Sequence, residues 1–325
     1  MKNPSAYRVK KRLALLLLIS VFNFVASPLS LAGRGANVEA VPLTPFDGPT
    51  EFIRQIPLAT NDLVYSASTG QLYASVPSSV GASGNSITAI NPTTGLVTSS
   101  TFVGSEPNKL TLSDDGQSLY VSLDGSYAIR RFDTSTNTPG PQFSLGQDSF
   151  SGRYAVSDFA VAPGNPNLLA VARSYVGTSP PEAGVAVFDN GVRRTNVGPG
   201  HVAGSDYLAF SASASKLYGT GQYSGLTTMT IDASGVTVSG TSSLGAGGRI
   251  KFSNGLVFSS LGQAINPDSN SLLGTFSSTN STAFVPDTAN GRAYYLTSGP
   301  CRSTNASVYN CLLSASDCGG CGPPT

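Results

Sequence analysis

The chain has 325 residues; 40% are hydrophobic and only 11% charged, and it carries 36 Gly, 21 Pro, one His and no Trp. The apolar share excludes wholesale disorder. The shortage of Glu, Lys and Arg beside so many turn formers excludes a helical bundle, a coiled coil and a basic nucleic-acid binder.

Residues 1–32 read as a secretory signal peptide. Lys2, Arg8, Lys10, Lys11 and Arg12 precede a mostly apolar run from Leu13 to Ala26; Pro28 breaks it, and Ser30-Leu31-Ala32 offers small residues for cleavage before Gly33. The run is shorter than the ~20 residues that span a bilayer, and no later segment is long enough. Cleavage leaves 14 basic residues against 18 acidic ones, a net charge of −4. Such a surface has no electrostatic footprint for nucleic acid or anionic membranes. The expected location is secreted, periplasmic or at the cell surface. Residues 33–51 form an N-terminal linker.

Residues 52–297 carry a repeat. Phe52–Leu58 is an isolated strand in a fourth-strand position, with no first three strands before it. The first unit comprises Leu63–Ala67, Gln71–Val76, Ser86–Asn91 and Leu96–Phe102. The second is Lys109–Ser113, Ser118–Leu123, Tyr127–Asp133 and Pro141–Leu145. The third is Asp158–Ala162, Leu168–Arg173, Gly184–Asp189 and Val192–Val197. The fourth is Tyr207–Ser211, Lys216–Thr220, Leu226–Asp232 and Val236–Ser242. The fifth is Arg249–Phe252, Gly255–Ser259, Gln263–Asn266 and Ser271–Phe276. A sixth begins with Thr282–Val285 and Arg292–Thr297. Four strands every ~40–50 residues is the period of WD40-like propeller blades. A lone four-stranded sheet leaves both faces bare, and stacking blade on blade covers them. The expected fold is all-β: a β-propeller of four-stranded antiparallel blades, five complete and a partial sixth, incompletely closed. Phe52–Leu58 is expected to complete the last blade.

Two columns align the units. The second strand carries an apolar pair: Leu72-Tyr73, Leu119-Tyr120, Leu168-Leu169, Leu217-Tyr218, Val257-Phe258 and Tyr294-Tyr295. The third strand ends on a short acceptor in Asn91, Asp133, Asp189, Asp232 and Asn266. These five are expected to cap the following hairpin rather than ring a metal. The stretch containing Tyr120, Val121, Ser122, Ile129, Phe132, Asp133, Thr134, Thr136 and Asn137 resembles the repeat of YVTN-type β-propellers, which are similar in fold to lactonase-like propellers. The resemblance covers residues 62–297. It implies a seven-bladed parent and an exported or cell-surface setting; it leaves function open, since propellers host enzymes and scaffolds alike.

Residues 298–325 break the pattern. All four cysteines, Cys301, Cys311, Cys318 and Cys321, lie there. Three readings fit: a disulfide-linked cap, a zinc site using the Cys318-Gly-Gly-Cys321 spacing, or a frameshifted or truncated end replacing further blades. Ser307–Leu313 is a candidate third strand, with Asn310 near its cap position. Elsewhere chemistry is sparse. His201, in the loop after the third unit, is the only candidate general base of its type. There is no G-x-S-x-G elbow, H-E-x-x-H pair or EF-hand loop. Gly245-Ala246-Gly247-Gly248 links units four and five. Arg130-Arg131 and Arg193-Arg194 read as solvent-facing strand or turn residues. No cofactor is expected. These features favour an exported, non-catalytic scaffold that binds a protein or surface polymer through its loops. The alternatives are a lactonase-like hydrolase with a site in the central channel and a truncated, non-functional propeller. Two or more acids converging with Arg or His on that channel would favour the hydrolase.

Overall fold

The computed structural model describes residues 56–198, 206–221, 224–245, 248–276, 283–289, 291–297 and 311–313. Its strands form six antiparallel sheets in chain order. Blade 1 is β1 (Asp62–Ser66), β2 (Gln71–Val76), β3 (Ser86–Ile90) and β4 (Val97–Phe102). Blade 2 is β5 (Pro107–Leu112), β6 (Ser118–Leu123), β7 (Ala128–Asp133) and β8 (Thr138–Ser144). Blade 3 has five strands: β9 (Gln147–Asp148), β10 (Gly152–Val161), β11 (Leu168–Tyr175), β12 (Glu182–Asp189) and β13 (Val192–Arg193). Blade 4 is β14 (Tyr207–Phe210), β15 (Lys216–Gly221), β16 (Ser224–Asp232) and β17 (Gly235–Thr241). Blade 5 is β18 (Ile250–Ser253), β19 (Leu256–Ser259), β20 (Gln263–Asn266) and β21 (Ser271–Thr275). Blade 6 is β22 (Ala283–Asp287), β23 (Arg292–Thr297) and β24 (Cys311–Leu313). The chain is thus an all-β protein built of propeller blades, five complete and a sixth of three described strands.

The core lies between the blades. Side chains alternate across each strand, so one residue faces the blade before and the next the blade after. Tyr73, Ile87 and Ala89 of blade 1 meet Leu119, Val121 and Phe132 of blade 2. On the other face of blade 2, Tyr120 and Ile129 meet Leu169, Val171 and Phe188 of blade 3. Leu168, Ala170 and Val187 then pack on Leu217, Met229 and Ile231 of blade 4. Tyr218 and Leu226 pack on Val257 and Ile265, and Phe258 and Ala264 on Phe284, Ala293 and Tyr295. Phenol hydroxyls cross two of these seams: Tyr73 donates to the Thr134 carbonyl and Tyr120 to the Pro166 carbonyl, each at 2.9 Å.

The third-strand acceptors act as hairpin caps in four blades. Asn91 Oδ1 accepts from the Thr93 and Thr94 amides, and Asp133 Oδ1 from those of Ser135 and Thr136. Asp232 serves Ser234 and Gly235, and Asn266 serves Asp268 and Ser269. Hydrogen bonding to the charged form holds the Asp133 and Asp232 carboxyls below the usual range. Asp189 departs from the column. Its hairpin turns on Asn190 and Gly191, both at positive φ (48° and 79°), which closes a two-residue loop without an Asx bond.

Several sequence expectations need correction. In blade 3 the register pairs Val161 with Leu169, as Leu112 pairs with Leu119 in blade 2. The aligned pair is therefore Leu169-Ala170, not Leu168-Leu169. In blade 6, Pro286 pairs with Ala293, so the pair is Ala293-Tyr294. A one-residue slip exchanges the two faces. The fourth strand of blade 3 stops at Arg193. Beyond it Asn196 bridges in parallel to Gly235 of blade 4, its amide donating to the Ser234 carbonyl at 2.7 Å. Of the candidate third strand of blade 6, Cys311–Leu313 forms β24; residues 307–310, Asn310 among them, lie outside the described residues. Of the expected first strand, residues 52–55 lie outside the described residues and 56–58 are not in a strand. Ile56 and Leu58 nonetheless pack, with Tyr65, on Leu72, Ala74 and Ile90, the face of blade 1 turned away from blade 2.

A Cβ on Gly235 would sit 2.1 Å from the Asn196 carbonyl oxygen, at a φ of 135° that L side chains rarely adopt. Gly235→Ala should therefore cost on the order of 2 kcal/mol and part the seam between blades 3 and 4. Tyr73→Phe, which removes one buried hydrogen bond without a change of shape, should cost only about 1 kcal/mol. Urea unfolding of the two variants against the parent checks both values.

Candidate functional site

The first strands of successive blades run beside one another, β1 next to β5, β5 next to β10, β10 next to β14 and β14 next to β18. One position recurs along them, four residues before the residue that opens each blade's first turn: Asp62, Lys109, Asp158, Tyr207 and, just before β18, Arg249. The backbone sets it identically in three blades. The amides of Asp62, Lys109 and Arg249 donate to Ser75, Ser122 and Ser260 Oγ at 2.9, 2.9 and 3.0 Å. Two of the same column of hydroxyls reach the next blade: Ser75 Oγ donates to the Asn108 carbonyl at 2.5 Å and Thr220 Oγ1 to the Gly248 carbonyl at 2.6 Å.

The two acids at this position do similar work. Asp62 Oδ2 accepts the Leu110 amide of blade 2, and Asp158 Oδ2 accepts the Leu208 amide of blade 4, both at 2.9 Å. Burial pushes the Asp158 carboxyl up, against the opposing pull of the Leu208 amide and of the Lys109 and Arg249 charges. The Arg249 guanidinium also lies over the Tyr207 ring, 5.6 Å from its centre. Two acids, a lysine and an arginine thus occupy one level of the first strands, and the charges of Lys109 and Arg249 reach Asp158. Their residue types would suit acid–base chemistry, but one oxygen of each acid is committed to the neighbouring blade.

The arginine pairs are not simply solvent-facing. Arg131 is half-buried and donates to Asn167 Oδ1 of blade 3 at 2.9 Å and to Ser118 Oγ at 2.6 Å. Arg194 pairs with Asp189 at 3.0 Å and donates to the Asp232 carbonyl of blade 4 at 2.6 Å. Both bridge blades, Arg131 from β7 and Arg194 from just beyond β13, because a long side chain reaches across a seam that shorter ones leave open. The partners Arg130 and Arg193 make no such bridge.

Blade 3 is built out beyond its neighbours. Strands β10, β11 and β12 run ten, eight and eight residues, and β9 folds back on the start of β10 through two residue pairs. The turn of that hairpin is capped by Asp148, which accepts the Phe150 and Ser151 amides. It presents Phe150 at 97% exposure, with Val176 of the next loop 52% exposed. Beneath it the Tyr154 and Tyr175 rings lie 5.5 Å apart. The Arg153 guanidinium sits 5.9 Å from the Tyr127 ring centre of blade 2. A separate open groove of about 660 Å³ follows the seam of blades 3 and 4, lined by residues 195–198 and 236–238. It holds no titratable side chain.

His201, Cys301, Cys318 and Cys321 lie outside the described residues, as does Asn310, and of Cys311 only the backbone is described. Among the described residues no group of three or more His, Cys, Asp or Glu is placed to hold a metal. No helix among them is long and apolar enough to cross a membrane. Sequence reasoning missed Asp62, Lys109, Asp158 and Arg249, because they differ in charge and align only once the first strands are in register. It also missed the extension of blade 3. The signal for the extension was present as extra length between Ser144 and Asp158 and between Arg173 and Gly184.

No family model and no curated protein matches the chain. Solved structures do. A functionally unknown protein from Desulfotomaculum acetoxidans DSM 771 is similar at a TM-score of 0.52 and 10% identity, over 75% of this chain and 81% of that one. The dihydro-heme d1 dehydrogenase NirN, solved in complex with DHE, is similar at a TM-score of 0.51 and 14% identity, over 74% of this chain and 52% of that one. The chain therefore spans about half the length of the NirN chain. At these identities the likeness shows the fold alone.

The role of Asp158 can be separated from any chemistry. A carboxyl whose pKa rises on folding holds its proton more tightly in the folded state, so it costs stability as pH climbs through the interval above the ordinary Asp value. Asp158→Asn keeps an acceptor for the Leu208 amide and should flatten that fall in unfolding free energy between pH 4 and pH 7. Asp158→Ala should leave the amide unpaired and cost roughly 1–3 kcal/mol at every pH. Denaturant melts across that pH range read both.

Proposed function

We propose that the chain is an exported, non-catalytic propeller of the YVTN type, which binds a surface polymer or a protein through the loops at one end of its blades. The observation that carries this reading is the extension of blade 3, which places an almost fully exposed Phe150 on the β9–β10 hairpin and an exposed Val176 in the β11–β12 loop. Exposed apolar side chains gathered with aromatic rings on one built-out element mark a contact surface. Tyr127 with Arg153, and Tyr154 with Tyr175, extend the same surface with flat aromatic faces. The leader-like residues 1–32 support export.

The hydrolase reading keeps one specific observation, the action of Lys109 and Arg249 on Asp158. In its terms Asp158 would be the general acid of a site on the first strands, and Asp158→Asn would abolish hydrolysis of simple lactones. The binding reading expects no such activity to lose.

A panel of purified neutral and acidic polysaccharides, immobilised for interferometry, tests the proposal. The parent chain should be retained by at least one of them, and Phe150→Ser should weaken retention at least tenfold with an unchanged melting temperature. Equal retention of Phe150→Ser, or retention of neither protein by any surface, overturns the assignment of this surface.

A further inference from the structure

Inside blade 3, against Tyr154, lies a charge that no described residue neutralises. Arg173, on β11, is 2% exposed. Its Nη2 donates to the Ala183 carbonyl at 3.1 Å, while Nε and Nη1 meet no acceptor. The guanidinium is stacked on Tyr154, 4.1 Å from the ring centre. The groups whose charge bears on it are the phenols of Tyr154 and Tyr175 and the like charge of Arg193; none is a carboxylate. An acid stands in the same part of the sheet: Glu182 lies opposite Ser174. It is not used, for its own Oε2 is also buried without a donor. A guanidinium taken out of water without a counter-ion is costly to the fold, and burial accordingly lowers its proton affinity.

The hairpin that leads into Tyr154, the ring stacked on this charge, is thinly held. The Gln147–Asp148 and Gly152–Arg153 pairs are the whole ladder of the hairpin, and Gly146 and Gly152 flank it at positive φ (87° and 79°). One backbone bond, the Tyr154 amide to the Gly146 carbonyl at 3.2 Å, closes its base. Lifting it would uncover a planar fork of donors beside an aromatic face. That is the arrangement that recognises a carboxylate.

We propose that Arg173 is the anchor of a carboxylate-binding site for the uronic-acid units of an acidic polysaccharide, with the 147–152 hairpin as its lid. The inference rests on reading the blade 3 extension as a binding surface and adds the ligand class. A sugar acid is favoured over an acidic peptide because the faces around the fork are aromatic rings, Tyr154 stacked on the guanidinium and Tyr175 5.5 Å from it. Such rings take the C–H face of a pyranose while the guanidinium takes its carboxylate.

The full chain lacks Trp, so tyrosine emission can follow binding without interference. Titrations should use tetragalacturonate, neutral maltotetraose, a tetraglutamate peptide and inorganic phosphate. Saturable binding of tetragalacturonate is expected, at least tenfold tighter than any of the other three. Arg173→Met, which keeps the stem and removes the charge, should weaken it at least tenfold and leave the ligand-free melting temperature equal or raised. Equal binding of maltotetraose would overturn the carboxylate assignment while leaving the surface reading intact. Tighter binding of tetraglutamate or of phosphate would overturn the sugar-acid class. Arg173→Met that melts lower yet binds tetragalacturonate as before would make the guanidinium structural and overturn the proposal. Failure of tetragalacturonate together with an inert Phe150→Ser would overturn both readings.

Discussion

Everything in this chain depends on a sheet being apolar on two faces. A four-stranded blade of alternating side chains has no inside of its own; its interior is the gap to the next blade. The middle strands are buried along nearly their whole length, as in β6, where all six residues are buried, while the fourth strand β4 is largely exposed. The hydrophobic stabilisation is therefore divided into layers, each shared by two neighbours and by no others. Polar groups follow the same division. Tyr73, Tyr120, Ser75, Thr220, Asp62, Asp158, Arg131 and Arg194 all spend hydrogen bonds across a seam. A buried donor or acceptor at a seam is satisfied only if the adjoining blade is in register, so these groups fix the spacing that the apolar layers merely favour.

Much of this was legible in the residues. Strands with period two, separated by Asp-Asp-Gly, Pro-Thr-Thr-Gly and Ala-Ser-Gly, mark hairpins because those residues accept the backbone angles of tight turns. The second-strand Leu-Tyr pairs and the third-strand Asn or Asp caps reported the blade and its repeat correctly in most units. Where the pairs failed, in Leu168-Leu169 and Tyr294-Tyr295, five apolar residues or two aromatics stood in a row. A run of that kind hides which member faces which neighbour, and only the pairing of Val161 with Leu169 and of Pro286 with Ala293 resolves it.

The candidate sites were less legible, for a physical reason. A site on the first strands is assembled from residues about fifty apart, and their side chains need not be alike to stand at one level. Asp62, Lys109, Asp158 and Arg249 share a backbone position, not a chemistry. The same holds for Arg173. Its sequence neighbours give no sign that it is buried, since Arg on a strand is ordinarily a surface residue. Its burial follows from the extension of β10 and β11 beyond the length of the repeat, and from Tyr154, which comes from a different strand.

The layered core has a consequence for how the molecule comes apart. A layer in the middle of the array is held from both sides, whereas blade 1 has a neighbouring blade on only one of its described faces. On its other face the cover is Ile56, Leu58 and Tyr65, and Leu63 is left 45% exposed. Local opening should then be graded along the chain, with the amides of β1 and β2 exchanging with solvent before those of β11 and β15. The repeat then behaves less like one cooperative globule than like a series of layers, of which the most thinly covered among the described residues opens first.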